Sequence, residues 1–161
     1  MTLVLRAAVR DDVPVIRELI EGLAEYERLR HECVATDEAL LTSLFGERPF
    51  AEVVLALWND EVAGFALFFH NFSTFLARPG IYLEDLFVRP EQRGRGIGKA
   101  LLKHLAALAV ARGCGRLEWS VLDWNVDAIG FYQSLGARPQ DEWTVYRVTG
   151  EALEQLAQAK E

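Results

Sequence analysis

A mixed α/β domain is the fold class that this sequence predicts, on three observations. Short blocks rich in Val, Phe, Trp and Tyr alternate between apolar and polar positions, as strands do. Longer stretches carry apolar residues three and four apart, as helices do. Gly, Pro, Asn and Asp mark most of the joins between them.

Each element has its own local reason. Leu3 to Ala7 reads as the first strand. Asp11 or Asp12 caps a helix that carries Pro14 in its first turn and runs to about Glu25, with Tyr26 and Glu27 at its end. Thr36 is the candidate N-cap of a second helix, which has Asp37 and Glu38 in its first turn and ends near Gly46. Ala51 to Trp58 and Val62 to Asn71 form a hairpin around Asn59-Asp60. Phe72 to Gly80 reads as a loop, and Ile81 to Val88 as a central strand. A long helix follows, with Ile97, Leu101, Leu105 and Leu108 on one face, and Gly113-Cys114-Gly115 closes it. Arg116 to Val121 is the next strand. Asn125 caps a helix from Val126 to about Leu135, which Gly136 ends. Trp143 to Thr149 reads as a last strand and Glu151 to Lys160 as a terminal helix.

The 161 residues suit a single domain, 1–161, with a sizeable core. Half of them are hydrophobic and a quarter charged, without repeats or linkers. A formal net charge of −7 makes nucleic acid a poor partner and favours a small cationic one. No apolar stretch reaches bilayer-spanning length, so no membrane partner is expected. The N-terminus lacks the apolar core of a signal peptide, and Cys33 and Cys114 lack metal-type spacing. Both features point to a reducing cytoplasm. His31, His70 and His104 show no ligand pattern, so no metal is expected.

Chemistry concentrates between residues 82 and 112. A strand runs into Arg93-Gly94-Arg95-Gly96-Ile97-Gly98-Lys99, and a helix opens there. Converging backbone N–H groups, the positive end of the helix dipole and glycines that admit close approach make an anion site. It is not a P-loop, because Arg93 stands where the first glycine belongs and Ala100 follows Lys99. Nor is it a dinucleotide fingerprint, because Lys99 occupies the third glycine position.

The remaining pattern, Arg-x-x-Gly-x-Gly after a strand and before a helix, resembles the pyrophosphate loop of the GCN5-related N-acetyltransferases. Asn125, Ala128, Phe131-Tyr132 and Leu135-Gly136-Ala137 resemble that family's second signature. Tyr82-Leu83-Glu84-Asp85, the glycine loop and Leu122-Asp123-Trp124-Asn125 are similar to its diamine acetyltransferases, the spermidine/spermine and thialysine enzymes. The likeness extends to Leu23-Ala24-Glu25-Tyr26-Glu27 and Phe45-Gly46-Glu47. It implies a central mixed, mostly antiparallel sheet flanked by helices, and acetyl-CoA as the acyl donor. By the same resemblance Leu86, Phe87 and Val88 contact the pantetheine arm and the acetyl carbonyl. Arg93, Gly94, Arg95, Gly96, Ile97, Gly98 and Lys99 take the pyrophosphate. Asn125, Val126, Asp127 and Ala128 flank the coenzyme, and Tyr132 protonates the leaving sulfur. Tyr26, Glu27, Glu84, Asp85, Glu118, Trp119 and Ser120 match acceptor-binding positions. Asp141 does too, although a shorter loop leaves it interchangeable with Glu142. The resemblance also implies a homodimer.

The reaction sets the residue types. A primary amine is an ammonium at neutral pH, so it must be held, deprotonated and brought to the thioester. Carboxylates suit the first two tasks, and Glu84 is the candidate for drawing off the proton. Neighbouring strand residues point to opposite faces, so Glu84 and Asp85 both reach the substrate only if the strand bulges there. Polyamine enzymes carry an aspartate and a tryptophan in the loop before the central strand, where this chain has Ser73 and Phe75. A lysine-like amino acid or a short diamine is therefore expected ahead of spermine. Two other readings are a protein or aminoglycoside-like acceptor, and a non-catalytic acyl-CoA sensor. Retained Tyr132 and Glu84 argue against the sensor.

Overall fold

The computed structural model describes residues 2–160, and the chain divides into two compact units, one ending at Leu122 and one starting at Asp123. The first unit is built on a five-stranded sheet of order β1-β2-β3-β4-β5. The strands are β1 (Leu3–Ala7), β2 (Glu52–Trp58), β3 (Glu61–Ser73), β4 (Arg78–Val88) and β5 (Leu117–Trp119). The first three pairings are antiparallel and β4–β5 is parallel. The sheet is thus mixed and mostly antiparallel, as expected.

Local chemistry accounts for the joins. Asn59 and Asp60 both adopt positive φ, at 50° and 68°, the twist that a two-residue hairpin loop needs. The Asn59 side chain also accepts a hydrogen bond from the Thr2 amide at 3.0 Å. Helix α1 (Val13–Tyr26) has Asp12 at its N-cap and Pro14 in its first turn. The Asp12 carboxylate does not cap the helix. It takes two hydrogen bonds from Arg6, at 2.8 and 2.9 Å, and one from the Val9 amide at 2.7 Å. Thr36 does cap α2 (Asp37–Phe45), accepting from the Ala39 amide at 3.1 Å.

The two faces of the sheet are covered by different helices. A Cβ on Gly22 of α1 would touch the Phe87 ring at 3.0 Å, whereas Gly98 of α3 (Ile97–Ala111) lies against Val88. Phe87 and Val88 are strand neighbours and point to opposite faces, so α1 and α3 sandwich β4. On the α1 side Ile16, Leu19, Leu23 and Leu44 pack with Val53, Leu55, Phe65 and Phe87. On the other side α3 buries Ile97, Leu101, Leu102, Leu105 and Ala109.

The β3–β4 hairpin is longer than the pattern of residues suggests. Phe72 and Ser73 continue the ladder opposite Pro79 and Arg78, so the loop shrinks to residues 74–77. Backbone pairing, not burial, defines these positions, for Phe72 is exposed.

In the second unit, α4 (Val126–Ser134) is capped by the Asn125 side chain, which accepts from the Ala128 amide at 3.4 Å. Gly136, at φ 92°, ends it, and α5 covers Gly150–Gln158. Residues 143–149 are not a strand, contrary to their run of aromatic and β-branched residues, Trp143 to Val145, Tyr146, Val148 and Thr149. A strand exists only where its amides find a ladder partner. None is present for this stretch among the described residues, and Trp143, Val145 and Tyr146 are exposed.

Candidate active site

The register between β3 and β4 shifts in mid-strand. Leu67 lies opposite Asp85 and Phe68 opposite Leu83, which leaves Glu84 as an extra residue on β4. This is the bulge that the adjacent acidic pair requires if both side chains are to act together. A third carboxylate joins them from the end of α1. Asp85 is raised from the ordinary 3.8 to about 7, first by burial, then by the negative charges of Glu84 and Glu27. Burial and the charge of Glu84 raise Glu27 as well. Two adjacent carboxylates and a third remote in sequence therefore share one field, and Asp85 holds its proton to near neutrality.

Beyond the bulge, β4 opens on its other edge. Its parallel pairing with β5 covers only Ile81, Tyr82 and Leu83. From Glu84 to Val88 that edge has no ladder partner among the described residues, while β3 pairs the opposite edge throughout. Leu86, Phe87 and Val88 thus offer strand backbone to an extended, amide-bearing ligand.

The strand delivers the chain to the glycine loop. Gly94 and Gly96 take φ of 79° and 76°, a region that side chains disfavour, and a Cβ at either would meet nothing within 4 Å. Gly96 is the N-cap of α3. No side chain caps the helix and no acidic residue lies in its first turn. The first amides of α3 and its dipole therefore point at an open, uncrowded cradle, which fits a pyrophosphate.

The loop arginines are engaged to either side of this cradle. Arg93 donates from Nε to the Val88 carbonyl at 3.0 Å. Its guanidinium lies 5.0 Å from the Tyr26 ring centroid and 5.6 Å from that of Phe87. It thus stands on the side of Tyr26 and Glu27, a position that the loop motif does not disclose. Arg95 stacks 4.9 Å over Trp58 and hydrogen-bonds the Gln92 side chain. Lys99 is exposed on the first turn of α3. Arg89, just past β4, bonds Glu18 of α1 at 2.8 Å and the Val62 carbonyl at 3.0 Å, tying α1 to the strand end.

The face carrying the acids continues backwards along β4. Tyr82 stacks on Phe69 and its hydroxyl meets Ser120 Oγ at 2.6 Å. Glu118 is level with Tyr82 and Trp119 with Leu83. Asn71 of β3 reaches across Gly80 to donate to Glu118 at 3.1 Å. Asn71 escapes a motif-based reading, since only the register brings it beside Glu118, whereas Arg116 stands two residues before Glu118 in sequence.

Within the second unit, Tyr132 and Phe131 are half-buried neighbours on α4, with ring centroids 5.7 Å apart. Val126, Asp127 and Ala128 form the first turn of that helix behind Asn125, and Asp141 lies in an exposed turn. Among the described residues no group of three His, Cys, Asp or Glu is arranged to hold a metal, and no helix is long and apolar enough to cross a membrane. Cys33 and Cys114 are free thiols.

Comparison with known proteins places the family and the fold. The acetyltransferase (GNAT) family model matches residues 16–137. Thialysine N-epsilon-acetyltransferase of Bos taurus is 40% identical over 95% of this chain and 96% of its own. L-ornithine N5-acetyltransferase NATA1 of Arabidopsis thaliana is 38% identical over 94% of this chain and 86% of its own. Among solved structures, an integron cassette protein from the V. cholerae mobile metagenome superposes with a TM-score of 0.83 at 30% identity. That alignment covers 99% of both chains.

Proposed function

The chain belongs to the acetyltransferase (GNAT) family and is an N-acetyltransferase, and we propose that it acetylates the terminal primary amine of a lysine-like amino acid or short diamine from acetyl-CoA. The observation that carries the acceptor reading is the group of Glu27, Glu84 and Asp85 around the β4 bulge. Three carboxylates hold an ammonium by charge. The raised Asp85 also narrows the gap that the proton must cross. Transfer from an alkylammonium to an ordinary aspartate is uphill by about 9 kcal/mol, but by only about 5 kcal/mol to one titrating at about 7. Exposed Glu84 stays in the role of charge partner and proton acceptor for the incoming ammonium, and Asp85 shares the proton with it.

On the donor side, Gly94 to Lys99 would hold the pyrophosphate, and Leu86, Phe87 and Val88 the amide-bearing arm. Asn125 to Ala128 would flank the coenzyme. Acetyl-CoA supplies the acetyl group as an activated thioester. Tyr132 is the group that we assign to return a proton to the leaving sulfur. Arg93 acts as a brace between the loop and Tyr26, through its stacked guanidinium. The names of the thialysine and ornithine enzymes favour an amino acid bearing a terminal amine as the acceptor.

The test is thiol release from acetyl-CoA with thialysine, lysine, ornithine, putrescine, spermidine, spermine, an aminoglycoside and a peptide with a free N-terminus. Turnover of terminal-amine amino acids or short diamines, with spermine behind in kcat/KM, is expected. Turnover confined to the peptide or aminoglycoside would refute the acceptor. A Tyr132→Phe protein that binds acetyl-CoA normally should turn over at least about tenfold more slowly.

A further inference from the structure

The acid-bearing face of β4 ends in a shallow groove lined by Asn71, Phe72, Ser73, Gly80, Arg116 and Glu118. Its floor is backbone. A Cβ on Gly80 would lie 2.4 Å from Asn71 Oδ1 and 3.4 Å from the Arg116 carbonyl oxygen, so only glycine leaves the groove open. Arg116 donates to Ser73 Oγ at 2.6 Å and lies 3.9 Å from Glu118. The guanidinium carries five N–H donors, so these two contacts leave the larger part of its fork for a carboxylate. Glu118 accepts from Asn71 Nδ2 at 3.1 Å, which turns its carboxylate over Gly80.

Along the strand the charges fall in a fixed order. Glu84 comes first. Glu118, level with Tyr82 on the neighbouring strand, follows about 7 Å farther along the strand direction, at about 3.3 Å per residue. Arg116 comes next, its carbonyl bonded to the Ile81 amide at 3.0 Å. Reading outward from the bulge, the face is negative, negative, then positive. An ω-amino acid presents the complement: a terminal ammonium, then an α-ammonium, then an α-carboxylate. Extended ornithine separates its terminal nitrogen from its α-nitrogen by about 6 Å at ordinary bond lengths, close to the step from Glu84 to Glu118 along the strand.

We propose that Arg116 and Glu118, set by Asn71 and Ser73 around the Gly80 floor, form a head-group subsite for the acceptor. Arg116 takes the α-carboxylate and Glu118 the α-ammonium of an amino acid whose terminal amine lies at the bulge. The subsite rests on the proposed transfer to a terminal amine. It goes further in making the carboxylate, and not a second amine alone, the feature recognised.

The experiment compares ornithine, ornithine carboxamide and putrescine with the wild-type protein and Arg116→Gln. Ornithine should exceed its carboxamide in wild-type kcat/KM by about tenfold to a hundredfold, the worth of a charge-assisted hydrogen bond. Arg116→Gln should lose that factor through KM for ornithine and leave the carboxamide and putrescine rates unchanged. Equal wild-type rates on ornithine and its carboxamide would overturn the subsite and leave acetyl transfer to amines standing. So would an equal loss on all three acceptors in the variant. If no small amine is acetylated, calorimetric titration of ornithine separates the two ideas. Binding that Arg116→Gln abolishes keeps the subsite and sinks the transfer reading, whereas no binding to the wild type sinks both.

Discussion

Replacing Glu84 by Gln removes one negative charge from the bulge while keeping the shape of the side chain, and Asp85 should report the loss. Asp85 moves from 3.8 to about 7 for three reasons, in falling order: burial, Glu84 and Glu27. As the second of three, Glu84 contributes less than half of that displacement. The ceiling is therefore about 1.6 pH units, or about 2 kcal/mol. A fall of about 0.5–1.5 pH units in the Asp85 midpoint is expected, read by carboxyl-carbon NMR titration of the ligand-free protein. Glu27 provides an internal check, because the charge of Glu84 is the second cause of its raised value, after burial. Both midpoints should fall together in Glu84→Gln. The acid limb of the kcat/KM profile, which reports the free enzyme, should follow the Asp85 midpoint. A midpoint for Asp85 that stays near 7 would refute the coupled cluster and leave burial as the sole cause.

Three other perturbations test the remaining architecture. Because Asp85 is raised on folding, it contributes stability below about 4 that is lost as pH rises through about 7. Asp85→Asn should thus gain about 4 kcal/mol over the wild type at pH 8, measured by denaturant unfolding, gain nothing at pH 3.5, and lose activity. Asp12 has the opposite sign: its hydrogen bonds from Arg6 outweigh burial and, with the Val9 amide, hold it below the usual carboxylate range. Asp12→Asn should cost about 1–2 kcal/mol at pH 7, a modest figure because the Arg6 side chain is 39% exposed. The deficit should vanish as pH falls through the folded value of Asp12. Gly96→Ala forces φ of 76° on a residue with a Cβ, at a cost of about 1 kcal/mol. It also puts a methyl group into the cradle, so KM for acetyl-CoA should rise about tenfold and the acceptor KM should stay.

What a sequence discloses here follows the range of the interactions. The bounds of β1, the Thr36 and Asn125 caps and the Asn59-Asp60 turn rest on neighbours a few residues apart, and all are legible. Residues 143–149 have the β-branched and aromatic composition of a strand, yet composition names only a preference, and the ladder partner that would satisfy it is a distant matter. Arg93 belongs by motif to the loop, but its guanidinium settles on the rings of Tyr26 and Phe87, because those flat faces attract a cation that Val88 already anchors. The adjacent acids Glu84 and Asp85 raise the question of a bulge without answering it. Only the register against Leu67 and Phe68 does so, and that register depends on a strand sixteen or so residues away. Asp85 carries the same lesson into the chemistry. Its residue type is visible in the sequence, but a carboxyl titrating near 7 requires burial by the fold, a charge next door in the strand and another from the end of α1. The sequence therefore announces which groups handle the proton. The convergence of α1 on a bulged β4 decides at what pH they do it.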